Sequence, residues 1–478
     1  MTTMLERDVR RTTRPAIQPM PQPTAKARHT TSRGSDLVAL AVWASLLIVT
    51  ALWVSNGGVQ ALSASGSSAL GSMGRLTGLY ASNLLLLQVL GMARVPAVER
   101  AVGQDRLAYW HRLSGMASFH LLLAHIVLMV LAYASLDRLP FFGELWSMTL
   151  TYPGMLLAAA ATVLLFGVVG LSIKAARRKV RYESWHLLHL YAYLGVALGL
   201  PHQLWTGTDF IASAWARTYW LAMYAAALAS VLLFRLGLPL WRTLRHRLRV
   251  SAVRQEAPGV AAIHISGRAL DRLPAQPGQF FVWRFKHGNG WTRGHPFSLS
   301  AVPTAHRLRI TVDTKGDDGA RIASVPPGTP VLIEGPYGRL TSAVRTRPKL
   351  AVFSAGVGLA PVLALLQEDA VWRDGATLVH RMSHEGEAIH RADIQDLVRR
   401  ADLRWFELVG PRSRVGASWL PAHLGHRRGD LAIRDLIPDL DQHDVYVCGP
   451  PAWADALVES LRGAGLPDSA IHLEKFTW

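Results

Sequence analysis

Residues 111–133 read HRLSGMASFHLLLAHIVLMVLAY, an apolar run that carries three histidines and no acid. A membrane-spanning helix needs about 20 mostly apolar residues, and this stretch supplies them. An imidazole placed in hydrocarbon is costly, so a histidine there reads first as a functional group. His111 and His125 are separated by about 320° of helical rotation and a rise of ~21 Å, which puts them on one face at two depths. His120 lies about 180° from His111 and reads as structural.

Five further runs of this kind follow the same pattern: Leu37–Ser55, Leu76–Pro96, Met155–Ile173, Trp185–Leu204 and Tyr219–Leu240. The Trp185–Leu204 run carries His186, His189 and His202. With both histidine-bearing spans running outward, His111 lies level with His189, and His125 lies level with His202 after a similar rise of ~20 Å. Two facing imidazoles at each of two depths are what two bis-histidine haems, stacked across a bilayer, require. The bland alternative is a set of hydrogen-bonded bundle histidines. His189 and His202 differ by about 220° in helical phase, and Pro201, immediately before His202, distorts that turn. His186 competes with His189 as the inner ligand.

The chain holds 51 Lys+Arg against 33 Asp+Glu, a net of +18. Residues 1–250 hold 24 and 9 of these, residues 251–478 hold 27 and 24, so the excess belongs to the membrane half. It lies in residues 1–36, in Arg94–Arg112, in Lys174–Glu183 and in the exit RTLRHRLR. The other three gaps hold only Arg75, Arg138 and Arg217, balanced by Asp137, Glu144 and Asp209. Positive-inside bias then places both termini and the whole second half in the cytoplasm of a multi-pass cell-membrane protein. The charge is an orientation label and gives no support to a nucleic-acid partner. Residues 1–35 are Thr-, Pro- and Arg-rich without an apolar core, and read as a disordered basic tail rather than a signal peptide. The single cysteine, Cys448, excludes disulfides, thiolate-held iron–sulfur clusters and covalent c-type haem, so any haem here is b-type.

Residues 250–345 change to short alternating runs. GQFFVWRF, HRLRITVDT and TPVLIEG read as strands of a small antiparallel barrel. Residues 346–478 alternate strand and helix: LAVFSAG runs into Gly356, Gly358 and the helix APVLALLQEDA, and DVYVCGP precedes a helix from Pro451. Such βαβ sheets bind ligands at the carboxyl ends of their strands. A glycine turn and a helix N-terminus suit a pyrophosphate there, although GVGLAP departs from the stricter GxGxxG pattern.

Taken together, the chain resembles the ferric reductase and NADPH oxidase transmembrane domain over residues 36–242, on His111-Arg-x-x-Gly115, His125 and Trp185 to His202. Its second half resembles the ferredoxin–NADP reductase type of FAD/NAD(P) dehydrogenase. The motifs are Gly278-Gln279-Phe280, His295-Pro296-Phe297-Ser298-Leu299-Ser300, Gly335-Pro-Tyr337-Gly338, Gly356-Val-Gly358-Leu-Ala-Pro361, Cys448-Gly449-Pro450 and Glu474-Lys-Phe476. The resemblance implies a multidomain protein: a six-helix transmembrane haem bundle, an antiparallel β-barrel for FAD and an α/β domain for NADPH or NADH.

It implies that Phe297 packs on the flavin, that Ser298 lies near its reactive N5, and that Tyr337 and Gly338 run along its phosphates. His295 stands where soluble relatives usually have an arginine. Phe476 matches the aromatic that stacks on the ring, although Trp478 can cover it instead and ordinary terminal packing is the alternative. Gly356, Gly358 and Pro361 shape the turn over the nucleotide pyrophosphate. Cys448 lies beside the nicotinamide or is a small buried strand residue. Arg381 is the candidate 2′-phosphate contact, or else a loop charge.

The function so implied is a relay from cytoplasmic NAD(P)H through FAD and two b-type haems, on His111/His189 and His125/His202, to an external acceptor. Oxygen-reducing members carry another histidine one turn beyond the outer ligand, where this chain has Met129. That favours a ferric chelate over oxygen as the acceptor. A haem-bearing redox sensor and a channel are the readings from other classes. No EF-hand loop is visible.

Overall fold

The computed structural model describes residues 30–173, 182–211, 213–368, 375–401, 403–414 and 416–475. The tail before residue 30, most of the Lys174–Glu183 loop, and Phe476 and Trp478 lie outside the described residues.

The first half is helical. Its long helices are α1 (Thr30–Ser55), α2 (Gly66–Met92), α3 (Gln104–Asp137), α4 (Met155–Ser172), α5 (Tyr182–Thr206) and α6 (Ala214–Ser230). The last runs through a π-helical turn, Val231–Gly237, into Leu238–His246. Each coincides with an expected span, but the six-span count is met only in part. Gly34–Ser55, Arg106–Asp137, Met155–Ser172 and Ala214–His246 are long and apolar enough to cross a membrane. A fifth is added if Gly66–Met92 is joined to Pro96–Val102 across a 92° bend. In α5 the three histidines, Gln203 and three tyrosines dilute the apolar run. Side chains such as Val163, 71% exposed, leave an apolar outer surface that suits lipid.

Small residues set the helix spacing, as they do where lipid offers no hydrophobic drive to pack. A Cβ on Gly78 of α2 would lie 2.5 Å from His125 Nδ1, and one on Gly74 would lie 2.8 Å from Met129 Sδ. Polar bonds join α1, α2 and α6: Ser45 Oγ and Tyr219 OH both donate to Asn83 Oδ1, at 2.9 and 3.0 Å.

The barrel expectation is met in part: two three-stranded antiparallel sheets share one core. Strands β1 (Arg249–Ala257), β2 (Val260–Ser266) and β5 (Arg307–Asp313) form one antiparallel sheet. β3 (Phe280–Phe285), β4 (His295–Ser298) and β6 (Val331–Tyr337) form a second. Short bridges, Arg249 to Pro330 and Leu299 to Ile310, join the two sheets at both seams, backed by Val331 N–H donating to Leu248 O at 2.9 Å and Ser300 N–H to Arg309 O at 2.8 Å. Alternate residues fill the shared core, among them Phe281, Trp283 and Phe285 from β3 with Ile263, Ile265 and Ile333.

The remaining strands form a parallel sheet in the order β11 (Ile471–Lys475), β10 (His443–Gly449), β7 (Lys349–Ala355), β8 (Ala376–Met382) and β9 (Leu403–Val409). The chain starts at β7 and builds outward in both directions, so the switch point lies between β7 and β10. The helix α7 (Leu359–Leu366) covers one face and α8 (Pro451–Gly463) the other.

One buried acid anchors this sheet. Asp444 is fully buried and accepts from the backbone N–H of Thr346 and Arg347, both at 2.6 Å, and from His472 Nε2 at 2.8 Å. Burial alone would raise its carboxyl, but these donors hold it below the ordinary value. A depressed carboxyl stabilises the fold above its unfolded pKa, and the contribution is lost as pH falls through the folded value. Asp444→Asn is therefore expected to cost about 2–4 kcal/mol of local stability. It should also remove an acid-labile step below the ordinary aspartate value of 3.8. Hydrogen exchange in β7 and β10 measures both; unchanged protection refutes the anchor.

Candidate functional site

The histidines come together in the pairs expected. The rings of His111 and His189 face each other across α3 and α5 with centroids 5.8 Å apart and planes at 77°. Two imidazole nitrogens about 2 Å from one metal leave ring centres roughly 6 Å apart, so this pair fits a shared metal. His111 Nδ1 is buried without a hydrogen-bond partner. His189 Nδ1 lies 3.3 Å from Ser172 Oγ, and Trp185 packs 5.1 Å from its ring. The competitor His186 sits instead in the field of Arg235, Glu334 and Arg284.

His125 and His202 line one cavity of about 1350 Å³ between the helices, together with Met129, Tyr133 and Tyr152. His125 Nδ1 lies 2.7 Å from the Gly74 carbonyl and His202 Nδ1 lies 2.6 Å from the Gly199 carbonyl. A carbonyl only accepts, so in each ring Nδ1 carries the proton and Nε2 keeps its lone pair. That is the tautomer in which a second partner fixes a ligating histidine. Helix α5 continues through Pro201. His120 bonds its own turn, Nδ1 to Met116 O at 2.7 Å, in keeping with a structural role. Among the described residues no group of three or more His, Cys, Asp or Glu could hold a metal ion.

In the second half, the HPFS strand carries His295 and Phe297 with their rings nearly parallel, 6.2 Å apart at 16°. Ser298 Oγ is buried and has no hydrogen-bond partner, an unmet group that suits a flavin edge. Leu299 and Ser300 turn inward. Leu299 is core, and Ser300 Oγ accepts from Arg309 Nε at 3.2 Å. Gln279 Nε2 donates to Gly338 O at 3.3 Å. Gly278 is needed for packing, since its φ is +84° and a Cβ would lie 1.9 Å from Leu340 O. Tyr337 is buried between Phe280, 5.7 Å away, and Arg94 of the membrane half, whose guanidinium lies 4.3 Å over its ring. That contact brings the Gly335–Gly338 motif against the C-terminal end of α2. Pro296 lies between His295 and Phe297 and pairs with Val282.

The docking is extended by residues that sequence reasoning missed. Glu334 lies 3.8 Å from Arg235 in the π-helical turn and 3.5 Å from Arg284, and accepts from Tyr337 OH at 3.1 Å. Arg242 donates to Gly335 O. The two soluble units meet at His390, whose Nε2 lies 2.8 Å from Thr311 Oγ1, with Arg309 paired to Asp393 at 2.7 Å.

At the switch point, Gly356 has φ +54° and Gly358 sits directly on β10. A Cβ on Gly358 would lie 2.3 Å from Cys448 O, and one on Gly449 would lie 2.7 Å from the Trp453 ring. Pro450 caps α8, and Pro361 is buried in the first turn of α7. At two positions the geometry matches the plainer of the two expected readings. The Cys448 side chain is fully buried among Val352, Leu359 and Tyr446. Burial pushes its thiol well up, and of the two readings this placement favours the small buried strand residue. Arg381 is 6% exposed and donates to the carbonyls of Met382 and Leu408, which turns it away from a phosphate contact.

Residues 77–200 match the family described as ferric reductase like transmembrane component. A flavohemoprotein of Chromobacterium violaceum is 28% identical over 331 residues, 62% of this chain and 76% of that protein. An NADPH oxidoreductase of Mycobacterium tuberculosis is 26% identical over 246 residues, 50% of this chain and 62% of that protein. The flavohemoglobin of Malassezia yamatoensis, solved with FAD and heme, aligns with 88% of this chain and 98% of its own at 16% identity and a TM-score of 0.43. The chain spans between 52% and 76% of the first curated relatives it matches. The chain is thus similar to a ferric reductase like transmembrane component over residues 77–200 and, over much of its length, to flavohemoproteins and other reductases.

Gly358→Ala puts a methyl group against the Cys448 carbonyl, a backbone atom that cannot swing away. The expected cost is about 1–3 kcal/mol of stability in the nucleotide half, read by thermal unfolding. A wild-type melting profile would show that the turn does not need this close approach.

Proposed function

We propose that this chain is a cell-membrane flavocytochrome, both termini cytoplasmic, that passes electrons from NAD(P)H to an external ferric chelate. Its soluble half would hold FAD and NAD(P)H. His111 with His189, and His125 with His202, would each hold a b-type haem. The observation that carries the reading is the pairing of imidazoles at two levels of one bundle, with Nδ1 of both outer histidines bonded to carbonyls. When bound, flavin takes a hydride as a pair and gives electrons singly, and haem iron carries them one at a time.

The chain's own residues divide the task. The Gly356–Gly358 turn and the start of α7 line the nucleotide crevice at the strand ends. Ser298 offers a buried hydroxyl to the flavin edge. Glu334, Arg235, Arg94 and Arg242 hold β6 against the bundle, on the side where His111 and His189 face each other. The position of His186 among Arg235 and Glu334 supports His189 as the inner ligand. The basic cytoplasmic gaps support the orientation.

Oxygen as acceptor is the second reading, since reduced haem can leak electrons to it. Met129, packed on Gly74 and lining the outer cavity, puts a thioether where a polar oxygen-handling group would sit, which favours the chelate. With purified protein and NADPH, ferric-chelate reduction should exceed dismutase-sensitive cytochrome reduction; the reverse would assign oxygen. His125→Ala and His202→Ala should each remove the outer haem from the absorption spectrum. Each should lower reduction of an impermeant ferric chelate at least ~100-fold, the scale of losing an essential carrier. Flavin reduction by NAD(P)H should persist. Normal external reduction by either variant would sink the relay.

A further inference from the structure

His295 opens β4 at the point where the flavin reading, on which the following rests, expects a cation, yet it cannot serve as one here. Its Nε2 lies 3.0 Å from Arg321 Nη2. A guanidinium only donates, so Nε2 accepts and the ring is neutral. Burial first, then Arg321, Arg293 and Arg284 against Asp318, hold its pKa below the ordinary value.

Arg321 itself is only partly used. Nη2 serves His295 and lies 3.5 Å from Asp318, an acid also claimed by Arg293 at 3.6 Å. Nη1 is buried with no hydrogen-bond partner. A buried guanidinium nitrogen left without an acceptor is costly and uncommon. Two arginines share one aspartate, and Arg284 in turn shares Glu334 with Arg235. Asp318 alone cannot neutralise both arginines, so positive charge remains unmatched beside the nearly parallel rings of His295 and Phe297. Aromatic rings next to an unmet guanidinium suit a ligand that is aromatic at one end and anionic at the other.

We propose that Arg321, held in place by His295, seats the diphosphate of the flavin dinucleotide. The arginine is thereby supplied from a segment 26 residues away from the strand that carries the motif. His295 is a positioning residue: it accepts one guanidinium N–H and so fixes the plane of the fork. The planar, multi-donor group matches phosphate oxygens better than a point charge would.

The test uses the full chain in detergent, freed of flavin and titrated with FAD and with riboflavin, which lacks the diphosphate. Arg321→Ala should weaken FAD binding about 10- to 100-fold, the loss of one charge-assisted contact. Riboflavin binding, and NADPH binding measured in parallel, should be unchanged, and so also report intact folding. Arg321→Lys should fall between the two. Equal weakening of FAD and riboflavin, no weakening of either, or a loss confined to NADPH each overturns the proposal. Should Arg321→Ala not fold, Arg321→Gln carries the same comparison. A wild-type chain that takes up no flavin sinks the underlying reading and this proposal with it. A wild type that binds FAD, with Arg321→Ala binding it equally, sinks the proposal alone.

Discussion

An imidazole buried in hydrocarbon must be neutral and must have its N–H satisfied, and much of the membrane half follows from meeting that demand. His125 gives its proton to Gly74 O and His202 gives its own to Gly199 O. The first bond requires α2 and α3 to approach until side chains no longer fit between them, which is why Gly74 and Gly78 face Met129 and His125. The second is made within α5, beside Pro201, where the missing N–H has already loosened the helical ladder. Both leave a lone pair turned toward the same cavity. The cost of desolvation is offset by fixing a tautomer suited to metal, so packing and chemistry are satisfied by the same contacts.

Basic residues of the helical half also fasten the two halves of the chain together. Arg94, Arg235 and Arg242 each reach the strand that carries Glu334, Gly335 and Tyr337. Side-chain exposures of 25% and 12% for Arg235 and Glu334 place that pair out of bulk water, where screening is reduced. A π-helical turn at Val231–Gly237 re-phases α6 just where Arg235 must face both Met92 O and Glu334. Such bulges are frequently functional, because one inserted residue changes which side chain meets the neighbouring element.

What could be read from sequence was what helical and strand periodicity control locally. The pairing His111/His189 and His125/His202 followed from rise per residue, and the strand–turn–helix pattern from residue 350 onward followed from hydrophobic runs. What escaped depended on contacts between distant segments. Glu334 is an ordinary acid in a strand until Arg235, nearly a hundred positions earlier, is placed beside it. The barrel was inferred from strand number and alternation, which do not say whether the seams close. Arg381, which follows a strand, was left open between a phosphate contact and a loop charge, because whether a side chain near a strand end points outward or folds back onto carbonyls is not a matter of spacing.

Cys448 shows how one step of register separates a catalytic reading from a structural one. Successive residues of β10 point to opposite layers. Val445 and Val447 enter the core under α8, whereas Tyr446 and Cys448 enter the core under α7. The thiol is therefore sealed inside, while its carbonyl oxygen, at the strand end, receives Gly358. Gly449, the next residue, must stay small for the same reason, since Trp453 closes over it. The motif at the end of β10 is thus constrained by backbone approach: a small residue inside, a glycine under an aromatic ring, and a proline starting α8. A reactive sulfur is not part of that requirement, and a serine or alanine would satisfy the geometry at position 448 equally well.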